Sequence, residues 1–247
     1  MPGRQAACYP GPMVLPASPV HRARLARLGG LYAIVGDAVA PGATAADPVH
    51  QAAAALDGGA RVIQLRLKSA PSGQVLEAAR RIVALAAGRA LVIVDDRPDL
   101  AALAGADGVH VGEEDLPVAE ARAVVGPDLL VGRSTRTLAD GQAALAAGAD
   151  HVGFGPIFAT ATKAIAAAPR GLALLREVAG ALPAPVVAIG GIGLETIGEV
   201  ARAGAAAAAV IGALFDASDP RARAAALAAA FDLGRAAGCA AGPGRAP

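Results

Sequence analysis

Between Leu31 and Phe215, short apolar runs alternate with longer Ala-rich stretches. The runs fall at 31–35, 62–65, 91–94, 109–111, 129–132, 151–154, 186–189 and 208–211, and they are rich in Val, Ile and Leu. Apolar runs of this length, mostly without polar alternation, predict strands buried on both faces, as in a parallel sheet. The stretches between them, roughly ten to fifteen residues each, predict helices. Several helices close on a glycine suited to a left-handed cap just before the next strand, namely Gly59, Gly105, Gly148 and Gly204. Eight strand–helix units predict an α/β chain folded as one (β/α)8 TIM barrel, here over residues 30–234. An open doubly wound sheet is the competing arrangement, but regular units with no second zone of composition favour closure. Residues 1–29, rich in Pro, Gly and Arg, predict an irregular N-terminal tail with at most a short helix near His21 to Leu28. Residues 235–247 predict a disordered C-terminal tail.

Composition removes several classes of function. The chain has 247 residues, of which 55% are hydrophobic, enough for one sizeable core. Only 17% are charged and the formal net charge is +1, which argues against a nucleic-acid surface or a polybasic membrane patch. Two Tyr, four Phe and no Trp leave little surface for stacking on bases. The two cysteines, Cys8 and Cys239, lie near opposite ends and form no disulfide or metal pattern. No apolar run has spanning length and the first residues hold no signal-peptide core, so a cytoplasmic protein is expected.

A barrel directs attention to the C-terminal ends of its strands, where sites of this fold lie. Alternation after strand two puts Gln64, Arg66 and Lys68 on one face. An amide, a guanidinium and an ammonium at a barrel mouth call for an anionic guest or for internal ion pairs with the carboxylates of strand three. Strand three ends in Asp95 and Asp96, and strand four is followed by Asp115, which could also cap the next helix. Two carboxylates from adjacent strand ends suit Mg²⁺, which binds through one or two carboxylates plus phosphate oxygens and water. Beside Arg66 and Lys68 the set reads as Mg²⁺ with a polyphosphate. Gly190-Gly191 after strand seven and Gly212 after strand eight occupy the usual barrel phosphate site, although a Gly pair can be turn chemistry alone. After strand six, Gly155-Pro156 opens a long irregular loop holding Thr160, Thr162 and Lys163, either a solvated loop or part of the site. His110 and His151 read as satisfied structural histidines.

The motifs Leu31-Tyr32-Ala33-Ile34, Gln64-Leu65-Arg66-Leu67-Lys68, Asp96-Arg97-Pro98-Asp99 and Asp107-Gly108-Val109-His110-Val111-Gly112 stand in order with Glu114-Asp115-Leu116-Pro117, Gly155-Pro156-Ile157-Phe158 and Ala188-Ile189-Gly190-Gly191-Ile192. Together they resemble the thiamine-phosphate synthase family. The resemblance implies a transferase joining hydroxymethylpyrimidine diphosphate to thiazole phosphate, giving thiamine phosphate and pyrophosphate. It implies pyrimidine diphosphate on Gln64, Arg66, Lys68, Ser134 and Lys163, with Asp95 bordering it. It implies Mg²⁺ on Asp96 and Asp115, and thiazole phosphate on Thr160, Thr162, Gly190, Gly191, Ile211 and Gly212. No side chain need act as a covalent catalyst.

Two positions depart from the pattern. Asp95 stands where the family usually has Asn, and Gly212 where it has Ser. Asp95 is expected to pair with Lys68 or Arg97. Two rivals remain: the thiazole tautomerase branch of the same barrel family, and a non-catalytic phosphate-binding regulatory barrel. The first carries a catalytic His where this chain has Pro156. The partners implied are small molecules, and homo-oligomerisation is left open.

Overall fold

The computed structural model describes residues 18–37, 47–160 and 168–241. Eight parallel strands close in sequence order: β1 (Gly30–Gly36), β2 (Val62–Arg66), β3 (Leu91–Asp95), β4 (Gly108–Val111), β5 (Leu130–Thr135), β6 (His151–Phe154), β7 (Val186–Ile189) and β8 (Ala207–Val210). The expected TIM barrel is therefore observed. Strand β5 runs beyond its predicted apolar segment, because Arg133, Ser134 and Thr135 continue the ladder against β6.

Helices cover the outside: α2 (Pro48–Asp57), α3 (Ser72–Ala86), α4 (Pro98–Ala104), α5 (Val118–Val125), α6 (Leu138–Ala146), α7 (Gly171–Ala181) and α8 (Ile197–Arg202). On α3 the buried Val75, Ala79 and Ile82 form one apolar stripe at helical spacing. Helix starts follow local chemistry: Asp47 accepts from the Val49 N–H ahead of Pro48, and Thr137 with Asp140 makes a reciprocal cap on α6. The glycines predicted to close helices, Gly59, Gly105, Gly148 and Gly204, all have positive φ.

The strands separate two apolar shells. Leu31, Ile63, Val92, Val109 and Phe154 face the helices. Tyr32, Val62, Leu91, Leu130 and Ala207 face the barrel axis and fill its lower part. Inward residues lie in register, so one layer reads Asp95 opposite His110, His110 opposite Gly132, and Gly132 opposite His151. The interior is thus apolar at the floor and polar at the C-terminal mouth.

The short helix expected near His21 to Leu28 is present, whereas the C-terminal end holds more structure than its composition predicts. Helix α1 (Pro19–Arg27), capped by Ser18, closes the N-terminal end of the barrel. Its Leu25, with the following Leu28, joins the inner apolar shell. Arg24 Nε donates to Asp107 Oδ1 at 2.9 Å, and Asp107 Oδ2 accepts from the Val92 N–H at 2.9 Å. His21 Nε2 bonds Asp150 Oδ1 at 2.7 Å, while Asp150 Oδ2 accepts from the Val131 N–H at 2.7 Å and pairs with Arg122. After β8 come the single turn α9 (Gly212–Phe215) and the long α10 (Pro220–Ala241), which packs on α8 and α2 and buries Ala224, Leu227 and Phe231. The boundary at 234 falls inside α10. Its Ala-rich sequence is a strong helix former, and the flanking Gly and Pro misled the compositional argument. None of the helices among the described residues is long and apolar enough to cross a membrane.

Candidate active site

The mouth is built outward from a buried chain of hydrogen bonds. Tyr32 on β1 is 1% exposed, and its hydroxyl donates to Gln64 Oε1 at 2.7 Å. Gln64 Nε2 then donates to Asp95 Oδ1 at 2.6 Å. Burial, reinforced by the Asp95 charge, pushes the Tyr32 phenol well above its usual range, so it stays a donor. A carboxylate can only accept, which fixes the Gln64 amide with its nitrogen toward Asp95.

The Asp95 side chain is 9% exposed, against 14% for Asp96. Asp95 Oδ2 lies 3.6 Å from both Arg66 Nε and Lys68 Nζ, and Lys68 Nζ also pairs with Asp96. Burial raises the Asp95 pKa above the usual carboxylate value; Lys68 and Arg66 counter this, and the Asp115 charge adds to the rise. The expected pairing of Asp95 with Lys68 is present. Pairing with Arg97 is not, because Arg97 forks onto Asp99 at 2.9 and 2.6 Å and reaches Ser72 Oγ at 2.9 Å. The expected alternative of internal ion pairs with the strand-three carboxylates is thus observed. A small cavity of about 120 Å³ lies beside these groups, lined by Lys68, Asp95, Asp96 and Arg97.

Asp96 and Asp115 are held differently. Asp96 adopts φ 58°, and its N–H donates to the His110 carbonyl at 2.8 Å, so β4 supports the strained backbone. Asp115 does not cap α5, whose N-cap is Pro117; its Oδ2 instead accepts from the Gly112 N–H at 2.9 Å. The two acids thus stand after neighbouring strands, Asp96 paired with Lys68 and Asp115 with the Gly112 N–H. Among the described residues there is no cluster of three or more His, Cys, Asp or Glu that could hold a metal unaided.

Ser134, on β5, meets His110 Nε2 on the neighbouring β4 at 3.0 Å. Beneath it the His110 and His151 rings lie 5.8 Å apart. Gly132 makes this possible, since a Cβ there would fall 2.2 Å from His151 Nε2 and 2.6 Å from His110 Nδ1. His151 is fully buried with neither ring nitrogen hydrogen-bonded to a described group, so it is structural without being satisfied as expected. Burial holds its pKa down to about 4.

The opposite side of the mouth comes from β6, β7 and β8. Gly190 and Gly191 have φ 98° and 65°, and the loop after β6 rests directly on them. The Ile157 and Phe158 N–H groups donate to the Ile189 and Gly190 carbonyls at 2.9 and 3.0 Å. A Cβ on Gly191 would lie 2.4 Å from the Ala159 carbonyl oxygen, so only glycine lets the loop at Phe158 and Ala159 approach the β7 turn this closely. Ile211 and Gly212 lead from β8 into α9. Thr162 and Lys163 lie outside the described residues.

The predicted residues that are described therefore gather at one end of the barrel in two sets, cationic and carboxylate at β2–β5, and glycine-rich at β6–β8. Tyr32 and Asp37 escaped the sequence reading. Tyr32 had a signal, since alternation on β1 places it inward with Ile34. Asp37, one residue past that strand, had none.

Residues 31–214 match the family described as thiamine monophosphate synthase. A thiamine-phosphate synthase of Anaeromyxobacter dehalogenans is 66% identical over 218 residues, 88% of this chain and 95% of that protein. A thiamine-phosphate synthase of Myxococcus xanthus is 47% identical over 83% of this chain and 94% of its own length. Among solved structures, a thiamine phosphate pyrophosphorylase of Pyrococcus furiosus superposes with a TM-score of 0.75 at 34% identity, covering 86% of this chain and 98% of that one. With that breadth of match laid over this barrel and its two-sided mouth, the chain belongs to the thiamine monophosphate synthase family.

Proposed function

We propose that this chain is a thiamine-phosphate synthase that joins hydroxymethylpyrimidine diphosphate to thiazole phosphate in a Mg²⁺-dependent reaction. The observation that carries the proposal is the group of Arg66 and Lys68 beside Asp95, Asp96 and Asp115, facing a separate glycine-lined turn across one mouth. One pole suits a diphosphate and the other a monophosphate.

In this account the diphosphate displaces the internal carboxylate partners of Arg66 and Lys68, with Ser134 as a further hydrogen-bonding contact. Lys163 is assigned to the same group by family resemblance. The Gln64 amide, locked by Tyr32 and Asp95, orients the pyrimidine. Thr160, Thr162, Gly190-Gly191 and the Ile211-Gly212 backbone hold the thiazole phosphate. The bond from the pyrimidine methylene to diphosphate oxygen breaks, and its electron pair leaves with the diphosphate. The methylene cation is stabilised by the pyrimidine amino group, and the thiazole nitrogen lone pair forms the new C–N bond. No proton moves and no covalent enzyme intermediate forms, so the chain acts by alignment and charge compensation.

Mg²⁺ fits the residues present, because Asp96 and Asp115 offer hard oxygen ligands at neighbouring strand ends and diphosphate oxygens would complete the shell. Bound there, it supplies Lewis-acid neutralisation of the departing diphosphate. Incubating purified protein with both substrates and Mg²⁺ tests the proposal: pyrophosphate and thiamine phosphate should appear together, and chelation should stop both. Isomerisation of a thiazole substrate alone would favour the tautomerase branch. Binding without turnover would favour a regulatory barrel.

A further inference from the structure

Asp37 belongs to neither pole, yet it organises one of them. Its Oδ2 accepts the backbone N–H groups of Lys68 and Ser69, the latter at 3.1 Å. Its own N–H donates to the Arg66 carbonyl at 2.7 Å, and its carbonyl accepts from Arg66 Nη1 at 3.4 Å. From the other side, Gln51 Oε1 accepts the Gly36 N–H at 2.8 Å, securing the last residue of β1. Strand β2 ends at Arg66, so Lys68 lies beyond the ladder that fixes its neighbours. Two successive N–H groups converging on one carboxylate oxygen fix the backbone direction at Lys68, and with it the origin of a long flexible side chain. That side chain then reaches both Asp95 and Asp96.

We propose that Asp37 is a positioning residue for the diphosphate pole: it ties the exit of β2 to the tip of β1, so that Lys68 and Arg66 arrive together where the diphosphate would bind. The proposal rests on the diphosphate reading given above. Both N–H groups use a single oxygen, so an amide at this position can keep the tether without the charge. A methyl group cannot keep it, and a longer carboxylate keeps the charge but displaces the tether.

Calorimetric binding of Mg²⁺-pyrophosphate, with KM measured for each substrate, tests this on wild type, Asp37→Ala, Asp37→Glu and Asp37→Asn. Asp37→Ala and Asp37→Glu should weaken pyrophosphate binding and raise the KM for pyrimidine diphosphate about tenfold or more, as misplaced binding groups do. The KM for thiazole phosphate should stay within about twofold, and Asp37→Asn within about threefold of wild type throughout. In a Lys68→Ala background, Asp37→Ala should add little, because the side-chain tether it removes acts at Lys68, while Arg66 is met by the Asp37 backbone, which alanine keeps. If Asp37→Ala does not fold, Asp37→Glu carries the same expectation. Unchanged binding in both variants, equal losses for both substrates, Asp37→Asn as impaired as Asp37→Ala, or full additivity with Lys68→Ala would each overturn the proposal. Wild-type protein that binds no Mg²⁺-pyrophosphate would overturn the diphosphate reading as well.

Discussion

Asp95 places a carboxylate where the family pattern leads one to expect an amide, and its neighbours show how the chain accommodates it. One oxygen accepts from Gln64, while the other faces Arg66 and Lys68. Asparagine could keep the first contact but not the ion pairs, which would leave both cations readier for a diphosphate. Asp95→Asn should therefore hold or raise kcat/KM at saturating Mg²⁺, and a tenfold gain would correspond to about 1.4 kcal/mol of transition-state stabilisation. Steady-state kinetics decide it, and a tenfold fall would mean that the carboxylate has become essential. At this scale the polar mouth was legible wherever a strand pointed at it, as Gln64, Arg66 and Asp95 did. Partner choice was not: Arg97 is near Asp95 in sequence, but the turn into α4 aims it at Asp99 and Ser72.

At the scale of elements, the reach of α10 past residue 234 and the groups on which α1 docks are what the chain concealed. Helix α1 is a short segment with arginines on several sides, too brief to be stable alone. Its stability comes from Asp107 and Asp150, residues whose place in sequence announces only a turn before a strand. Asp150 joins α1, Arg122 and the start of β5 through one side chain that is 11% exposed. Asp150→Ala should destabilise the fold by roughly 2–3 kcal/mol, since it strands several part-buried donors together. Substrate KM values should hardly change, because this end of the barrel lies opposite the mouth. Urea melts and kinetics on the same variant check both halves, and a variant with wild-type stability would remove Asp150 from the clamp.

For the whole molecule, the eight-unit barrel was readable because its strands are continuous apolar runs, several of them preceded by a glycine that closes the helix before, a signal that survives without any tertiary information. What lines the barrel axis was less readable, because His151 is accommodated by a glycine on the neighbouring strand rather than by anything nearby in sequence. Its burial has a consequence for stability. The unfolded chain takes up a proton near pH 6.5, whereas folded His151 does so only near pH 4, so acid favours unfolding across that window. The contribution is complete above about pH 6.5 and about 3 kcal/mol smaller by pH 4. Unfolding free energies of wild type and His151→Asn, compared across pH, should converge as pH falls, and parallel curves would contradict the assignment. The two-pole mouth faces a more direct test, the crossed measurement of KM for both substrates in Arg66→Ala and Thr160→Ala. Arg66→Ala should raise the KM for pyrimidine diphosphate about tenfold to a hundredfold and barely move that for thiazole phosphate, with the pattern reversed in Thr160→Ala. Variants that both impair the same substrate, or both substrates equally, would contradict a mouth divided between diphosphate and monophosphate.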